Sequence, residues 1–164
     1  MKILTDHQIR QKISRLAIEI AENNFDEPAI ILAGINQNGM AFARLLHEQL
    51  STITRQKITL TSLKISPANP LEGPIEIGMP VEELEGKIII IVDDVANTGR
   101  TIFYACKPLM ATLPKRVEVA VLVDRTHKSF PVKVDYVGLS LATTLLEDID
   151  VRIREVDEYS VFLN

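Results

Sequence analysis

The sequence predicts an α/β fold, with a doubly wound, mainly parallel sheet and flanking helices. Two short runs, AIILAG from Ala29 and IIIIV from Ile88, are apolar throughout. Strands of this kind occur where both faces of a parallel sheet are covered. Segments with helical spacing of apolar residues alternate with them, which favours a layered α/β arrangement. Ligands of such sheets bind at the carboxyl ends of the strands, so the loops that follow the strands are the first candidates for a site.

The first half of the chain predicts two helices, two strands and a long loop. Thr5 or Asp6 can cap a helix whose apolar positions run from Ile9 to Ile20. After the first strand, GINQNG (34–39) predicts a turn, MAFARLLHEQL (40–50) a helix, and KITLTSLKI (57–65) a half-buried strand. Residues 66–80 contain four prolines and two glycines. Such a long, irregular segment is typical of a lid or flexible loop.

The second half predicts the strand that ends at two aspartates, a helix near residues 101–112, and the strands VEVAVLVDR (117–125) and VDYVGL (134–139). The tail, VRIREV (151–156) followed by SVFLN (160–164), predicts closing strands or a final hairpin.

Composition limits the class of protein. The 164 residues predict a single domain over 1–164, and the net charge of −4 argues against nonspecific nucleic-acid binding. One cysteine, Cys106, excludes a disulfide within the chain and fits a cytoplasmic location. No apolar run approaches the roughly 20 residues that span a bilayer, so no membrane is expected as a partner. The scattered histidines form no zinc-binding pattern.

Asp93 and Asp94 follow the apolar strand directly. They can be explained as acids of a capped turn, or as acceptors for sugar hydroxyls or a metal. The residues that follow, Ala96 to Thr101, offer small side chains, backbone N–H groups and threonine hydroxyls, which suit a phosphate. Acids that can bind ribose hydroxyls lie next to amide groups that can bind a phosphate. Together they predict a binding site for a ribose 5-phosphate. A receiver-like domain that uses the acids for Mg²⁺ is the alternative, but the Thr-Gly loop leaves little room for that layout.

The stretch IIIIVDDVANTGRT resembles the phosphoribosyl-diphosphate binding motif of type I phosphoribosyltransferases. The resemblance implies their fold and the transfer of ribose 5-phosphate from phosphoribosyl diphosphate to a nucleobase. It implies that Asp93 and Asp94 hold the ribose hydroxyls, with Mg²⁺ carried mainly by the substrate. The loop for the 5-phosphate would then consist of Ala96, Asn97, Thr98, Gly99, Arg100 and Thr101.

A second stretch, VLVDRTHKSFPVKVDYVG (121–138), is similar to a segment of the pyrimidine-operon regulators, which have this fold and often a uracil phosphoribosyltransferase activity. The resemblance implies uracil as the base, a homo-oligomer of at least two chains, and RNA as a further partner. It implies a base pocket of Asp124, Arg125, Tyr136 and Val137, and RNA contacts at His127, Lys128 and Lys133. The competing interpretations are an Asp124–Arg125 ion pair, core packing of Val137, and a solvated basic turn, which the acidic chain favours.

Two departures from the family pattern bear on activity. The pyrophosphate loop, residues Ile35, Asn36, Gln37, Asn38 and Gly39, has no basic side chain, where the family usually has one. Losing such an electrostatic contact can slow a reaction by on the order of 10²–10³. The lid is also short and lacks the usual tyrosine–arginine start. The alternative to an enzyme is therefore a weak or inactive sensor of phosphoribosyl diphosphate or a nucleotide, which regulates pyrimidine gene expression by binding RNA.

Overall fold

The computed structural model describes all residues, 1–164, and contains two sheets. The larger has six strands in the order β4-β3-β2-β5-β6-β7, parallel except for the antiparallel edge strand β4. The smaller is antiparallel, in the order β1-β9-β8. The strands are β1 Lys2–Leu4, β2 Ala29–Ile35, β3 Lys57–Lys64, β4 Glu76–Ile77, β5 Ile88–Ala96, β6 Arg116–Arg125, β7 Tyr136–Leu141, β8 Ile149–Arg152 and β9 Ser160–Leu163.

Three α-helices, α1 Asp6–Asn23, α2 Asn36–Ile53 and α3 Arg100–Ala105, accompany the sheet. The first begins at a capping box, in which the Gln8 backbone donates to the Thr5 hydroxyl and the Thr5 backbone donates to the Gln8 side chain. None of the helices combines the length and the apolar character that crossing a bilayer requires.

The central strand β5 separates two cores. Ile88 and Ile90 pack on one face with α1, α2 and the small sheet, whereas Ile89 and Ile91 pack on the other with α3 and its surroundings. All four isoleucines are buried because alternate residues of a strand point to opposite faces and both faces are covered. The predicted doubly wound sheet is confirmed.

Strand β1 was not predicted, β8 both begins and ends earlier than the predicted strand 151–156, and three predicted segments differ in kind. The segment predicted as a turn, GINQNG, is the end of β2 joined directly to the first turn of α2. The predicted helix 101–112 is divided into α3 and a 3-10 helix, Lys107–Ala111, because Pro108 lacks an N–H and disfavours helical geometry in the residue before it. The predicted loop 66–80 contains the short strand β4, which pairs with Leu63 and Lys64 of β3.

Candidate active site

Three strand ends meet at one rim of the large sheet. In the parallel register, Gly34 of β2 pairs with Val92 of β5, and Ala96 of β5 pairs with Asp124 of β6. The helix after β2 covers one face of the sheet and the helix after β5 covers the other. The crevice between β2 and β5 is therefore a switch point, where α/β sheets bind ligands.

The segment predicted as the pyrophosphate loop is closely packed at both ends. A Cβ atom on Gly34 would lie 2.6 Å from the Met40 Cα, and one on Gly39 would lie 2.6 Å from the Val92 carbonyl oxygen. The two glycines are therefore needed for close approach of α2 to the sheet, and the positive φ of 51° falls on Asn36 instead. The Asn36 side chain donates to the Ile65 carbonyl (2.8 Å) and accepts from the Ile65 backbone N–H (3.0 Å), which fixes this unusual conformation.

Asp93 and Asp94 lie within β5, two residues before its end, with the carboxylates at the crevice. Asp93 accepts from the Asp94 backbone N–H and Asp94 from the Val95 backbone N–H, both at 2.9 Å. The Asn38 side chain donates to the second Asp94 oxygen at 3.1 Å, which joins the acid pair to the pyrophosphate loop. Burial, and then the neighbouring charge of Asp94, raise the pKa of the Asp93 carboxyl well above its ordinary value.

The loop predicted for the 5-phosphate surrounds a small cavity of about 50 Å³, which Asp93 also lines. Ala96 is the last residue of β5, so the turn itself is only Asn97 to Gly99. Gly99 has a φ of 89°, a left-handed conformation that favours glycine. The Thr98 carbonyl accepts from the backbone N–H groups of Ser129 (2.9 Å) and Phe130 (3.2 Å). Because α3 has only six residues, phosphate binding would depend on loop N–H groups and hydroxyls more than on a helix dipole.

Arg100 joins segment 66–80, predicted as a lid, to the loop predicted for the 5-phosphate. Its guanidinium donates to the carbonyl oxygens of Pro67 (2.8 Å) and Ala68 (3.3 Å). The first residues of segment 66–80 are therefore fixed over the crevice at the same residue that begins α3.

The structure brings Arg125 of the predicted base pocket to the rim. A cavity of about 420 Å³ is lined by Asn97, Thr98, Arg125, His127, Thr143, Thr144 and Leu145. Arg125 donates to the Thr143 hydroxyl (2.6 Å), the Thr144 carbonyl (2.7 Å) and the Asn97 side chain (3.3 Å). These contacts hold the guanidinium at the wall of the cavity.

The structure does not bring Tyr136 and Val137, which were predicted for the base pocket, to the rim with Arg125. In β7 they pair with Ala120 and Val121, four and three residues before the Asp124 rim. Tyr136 is fully buried, and its hydroxyl donates to Glu118 at 2.9 Å, toward the opposite end of the sheet. This burial raises the pKa of Tyr136 to about 12. The sequence match identified the strand but gave no information on where it sits in the sheet.

The three basic residues predicted for RNA do not form one free patch. Lys128 is half-buried and forms an ion pair with Asp124 at 2.6 Å, whereas the competing interpretation had paired Asp124 with Arg125. Lys133 is exposed and lies 3.7 Å from Asp135, while His127 lines the cavity beside Arg125. Of the three, only His127 lines the rim cavity.

Sequence reasoning missed two contributions to the site. Thr143 to Leu145 line the cavity beside Arg125, and Arg154 lines a cavity of about 520 Å³ that Asp93, Asp94 and residues 35–38 also line. Both come from the segment between β7 and β9, where the sequence analysis assigned no site residue. Their position depends on the small sheet, whose pairing cannot be deduced from a local pattern.

Comparison with known proteins decides the family. The sequence model of the phosphoribosyl transferase domain family matches residues 1–158 of this chain. The chain belongs to the phosphoribosyltransferase family. The chain is 36% identical over 165 residues to the bifunctional protein PyrR of Streptococcus uberis, covering 95% of this chain and 91% of that protein. The prediction of a phosphoribosyltransferase near the pyrimidine-operon regulators is confirmed.

Solved phosphoribosyltransferases share the fold. The hypoxanthine phosphoribosyltransferase of Trypanosoma cruzi superposes with a TM-score of 0.78 at 19% identity, over 98% of this chain and 90% of that one. A hypoxanthine-guanine phosphoribosyltransferase of Bacillus anthracis gives 0.72 at 20% identity, over 87% and 84%. The sheet of this chain is thus that of a type I phosphoribosyltransferase.

Proposed function

We propose that the protein transfers ribose 5-phosphate from phosphoribosyl diphosphate to a nucleobase, with uracil as the base and diphosphate as the leaving group. The observation that supports this most directly is the order of the site. The acid pair Asp93–Asp94 lies between the pyrophosphate loop and the small phosphate-sized cavity. This is the order in which diphosphate, ribose and 5-phosphate follow one another in the donor.

In this proposal, the carboxylates of Asp93 and Asp94 accept hydrogen bonds from the two ribose hydroxyls. Hydrogen bonds to the charged form of a carboxylate favour that form, so donor binding would lower the raised pKa of Asp93. The free-energy cost of removing the Asp93 carboxylate from water is then offset when the donor binds. The 5-phosphate would occupy the cavity between Ala96 and Thr101, where backbone N–H groups and the hydroxyls of Thr98 and Thr101 line the wall.

The diphosphate would lie against the amino end of α2. That helix has eighteen residues, so its first N–H groups carry a useful partial positive charge for an anion. The amide side chains of Gln37 and Asn38 add donors but no charge, which supports a reaction slower than that of a family member with a basic loop. During transfer the bond from the anomeric carbon to the diphosphate oxygen breaks with its electron pair on that oxygen. A base nitrogen bonds to the carbon, and its proton passes to the departing diphosphate.

Mg²⁺ fits this site only together with the substrate. No group of three or more His, Cys, Asp or Glu residues could hold a metal ion alone. Mg²⁺ commonly uses one or two carboxylates plus substrate phosphates and waters, and Asp93 and Asp94 are the carboxylates present. When bound, the ion would supply positive charge to the diphosphate and ribose oxygens.

The base would occupy the cavity beside Arg125, not a pocket near Tyr136. Its polar lining, with the Thr143 hydroxyl and the amide of Asn97, suits the amide-like edge of uracil. Segment 66–80 would close over the donor and exclude water, which would otherwise hydrolyse it. We also propose that residues 1–164 form one domain, that the chain forms at least a dimer, and that it acts in the cytoplasm.

The test is a titration with phosphoribosyl diphosphate and Mg²⁺, followed by uracil, with UMP measured as the product. Hypoxanthine and guanine are assayed in parallel, since the solved structures of similar fold include enzymes named for these bases. We expect donor binding and UMP formation, both abolished in Asp93→Asn and Asp94→Asn. Nucleotide formed only from a purine would refute uracil as the base, and unchanged donor binding by both variants would refute the site.

A regulatory function is the second candidate, favoured by the name "bifunctional" that the Streptococcus uberis relative carries. In that case the protein would sense the donor or a nucleotide and bind RNA, with little turnover. The pairing of Lys128 with Asp124 leaves less free positive charge than the sequence suggested. Donor binding without any product, together with salt-dependent RNA binding weakened by Lys133→Gln, would favour this function over the enzyme.

A further inference from the structure

The turn between β8 and β9 carries an arginine into the donor crevice. The Arg154 guanidinium donates a hydrogen bond to the side-chain oxygen of Gln37, in the middle of the pyrophosphate loop. Arg154 is the only basic residue that lines the cavity containing Asp93 and Asp94. The two residues of this contact are more than a hundred positions apart in the chain, so the sequence alone gave no reason to pair them.

The backbone at Arg154 is held in place on both sides. Ile153, directly before it, is buried in the core beneath the small sheet. Glu155, directly after it, has a φ of 52°, which is uncommon for a residue with a side chain. Glu155 and Asn36 are the only two non-glycine residues of the chain with a positive φ. Both line the same cavity, which neighbours the one that contains the acid pair. Such conformations concentrate at functional sites, where the surrounding structure maintains them.

Other basic residues near the loop do not reach the same cavity. Arg44 and Lys64 line a larger cavity of about 830 Å³, on the outer side of the amino end of α2, which contains neither Asp93 nor Asp94. Arg154 lines both cavities and stands between them. Of the residues that line the cavity with both Asp93 and Asp94, Arg154 alone carries a positive charge.

We propose that Arg154 binds the diphosphate of the donor and supplies the positive charge that Asn36, Gln37 and Asn38 lack. This inference rests on the proposed function of the site. A guanidinium presents paired donors that match phosphate oxygens, and charge-assisted hydrogen bonds are about twice as strong as neutral ones. In the free protein, Gln37 holds the guanidinium at the mouth of the crevice. When diphosphate binds, Arg154 turns from Gln37 to the phosphate oxygens, and Gln37 is free to donate through its own amide.

The inference also changes the expectation for turnover. A basic residue delivered by the small sheet stabilises the charge that develops on the leaving diphosphate, as a residue within the loop would. The uncharged loop then no longer implies a weak enzyme. Activity would depend instead on the position of the β8–β9 turn.

The test compares Arg154→Gln with Arg152→Gln, a matched control in the same segment. Arg152 is exposed, pairs with Asp150 at 2.8 Å and stacks on Phe162, away from both cavities. Four quantities are measured at two salt concentrations: the affinities for Mg²⁺–diphosphate and for UMP, and the KM and kcat with phosphoribosyl diphosphate. Arg154→Gln should weaken diphosphate binding by about 10- to 100-fold, reduce its dependence on salt, and leave UMP binding unchanged, because UMP has no diphosphate.

A compensating variant strengthens the test. Gln37→Lys in the Arg154→Gln background places a charge back in the loop and should recover most of the lost affinity. The inference is wrong, while the proposed function stands, if the wild type binds diphosphate and Arg154→Gln binds it equally well. It is also wrong if Arg154→Gln loses as much affinity for UMP as for diphosphate. If the wild type binds neither the donor nor diphosphate, both fail together.

Discussion

Replacing Tyr136 with phenylalanine separates a structural from a catalytic role for this residue. The ring is fully buried and remains in the variant, so no cavity forms and only the hydroxyl is lost. That hydroxyl donates to the Glu118 carboxylate at 2.9 Å and accepts from Asn24 at 3.3 Å. Glu118 keeps an Asn24 contact at 3.2 Å and an Arg116 ion pair at 3.7 Å, so it is not left without partners.

The expected loss in the free energy of unfolding follows from these contacts. A hydrogen bond to a charged group contributes about 1.5–3 kcal/mol, and the remaining partners of Glu118 place the loss near the middle, at about 2 kcal/mol. For a chain of this length that corresponds to a fall in Tm of roughly 4–8 °C. Catalysis should be unaffected, because the four residues of strand between the Tyr136 level and the Asp124 rim span about 13 Å.

The assay is urea unfolding alongside kcat/KM for uracil. Tyr104→Phe serves as the control, since its ring lies beside Phe130 and its hydroxyl has no partner in the protein. Because the pKa of Tyr136 is raised to about 12, the wild type should lose stability as pH rises between about 10 and 12, and Tyr136→Phe should lose less. A tenfold rise in the KM for uracil without a change in stability would refute this placement and return Tyr136 to the base pocket.

Three further changes have defined outcomes. Asp93→Asn should abolish transfer but increase the free energy of unfolding at neutral pH. Because the pKa of Asp93 is raised in the folded protein, the stability of the wild type should fall as pH rises from about 4 through that pKa. Urea unfolding of the variant should lack this pH dependence. Gly39→Ala places a Cβ 2.6 Å from the Val92 carbonyl, and should cost about 1–3 kcal/mol in urea unfolding and weaken donor binding in calorimetry. Equal stability would show that α2 can move away freely. Arg100→Gln frees the carbonyls of Pro67 and Ala68, and should speed proteolysis within 66–80 without changing global unfolding. Unchanged cleavage would mean that Arg100 does not hold the lid.

Local patterns predicted most of the fold. The apolar spacing from Ile9 to Ile20 identified α1, and the uniformly apolar runs identified β2 and β5, because each pattern follows directly from which faces are covered. The acid pair and the phosphate turn could be placed because they lie next to β5 in the sequence. Sites formed by one strand and its following loop are the easiest to find in this way.

The remaining features depend on packing between distant segments. GINQNG suggested a turn because glycine is frequent in turns, whereas its glycines are needed for close approach of α2 to β2 and β5. Tyr136 matched a family stretch, but its depth in the sheet is set by the register with β6. Arg154 reached the site through the pairing of β8 with β9, which no local signal specifies.

The pairing of β2 with β5 has a consequence for how the protein folds. Ile30 pairs with Ile88, although α2, β3 and segment 66–80 separate the two residues in the sequence. The centre of the sheet therefore forms only after this long stretch of chain has closed into a loop. Contacts of this range slow folding, and this chain should fold far more slowly than a helical bundle of its size. The pyrophosphate loop begins at the end of one of these strands, and the acid pair lies near the end of the other. A partly folded chain therefore cannot hold the donor, and the donor should act as a ligand that selects only fully folded molecules.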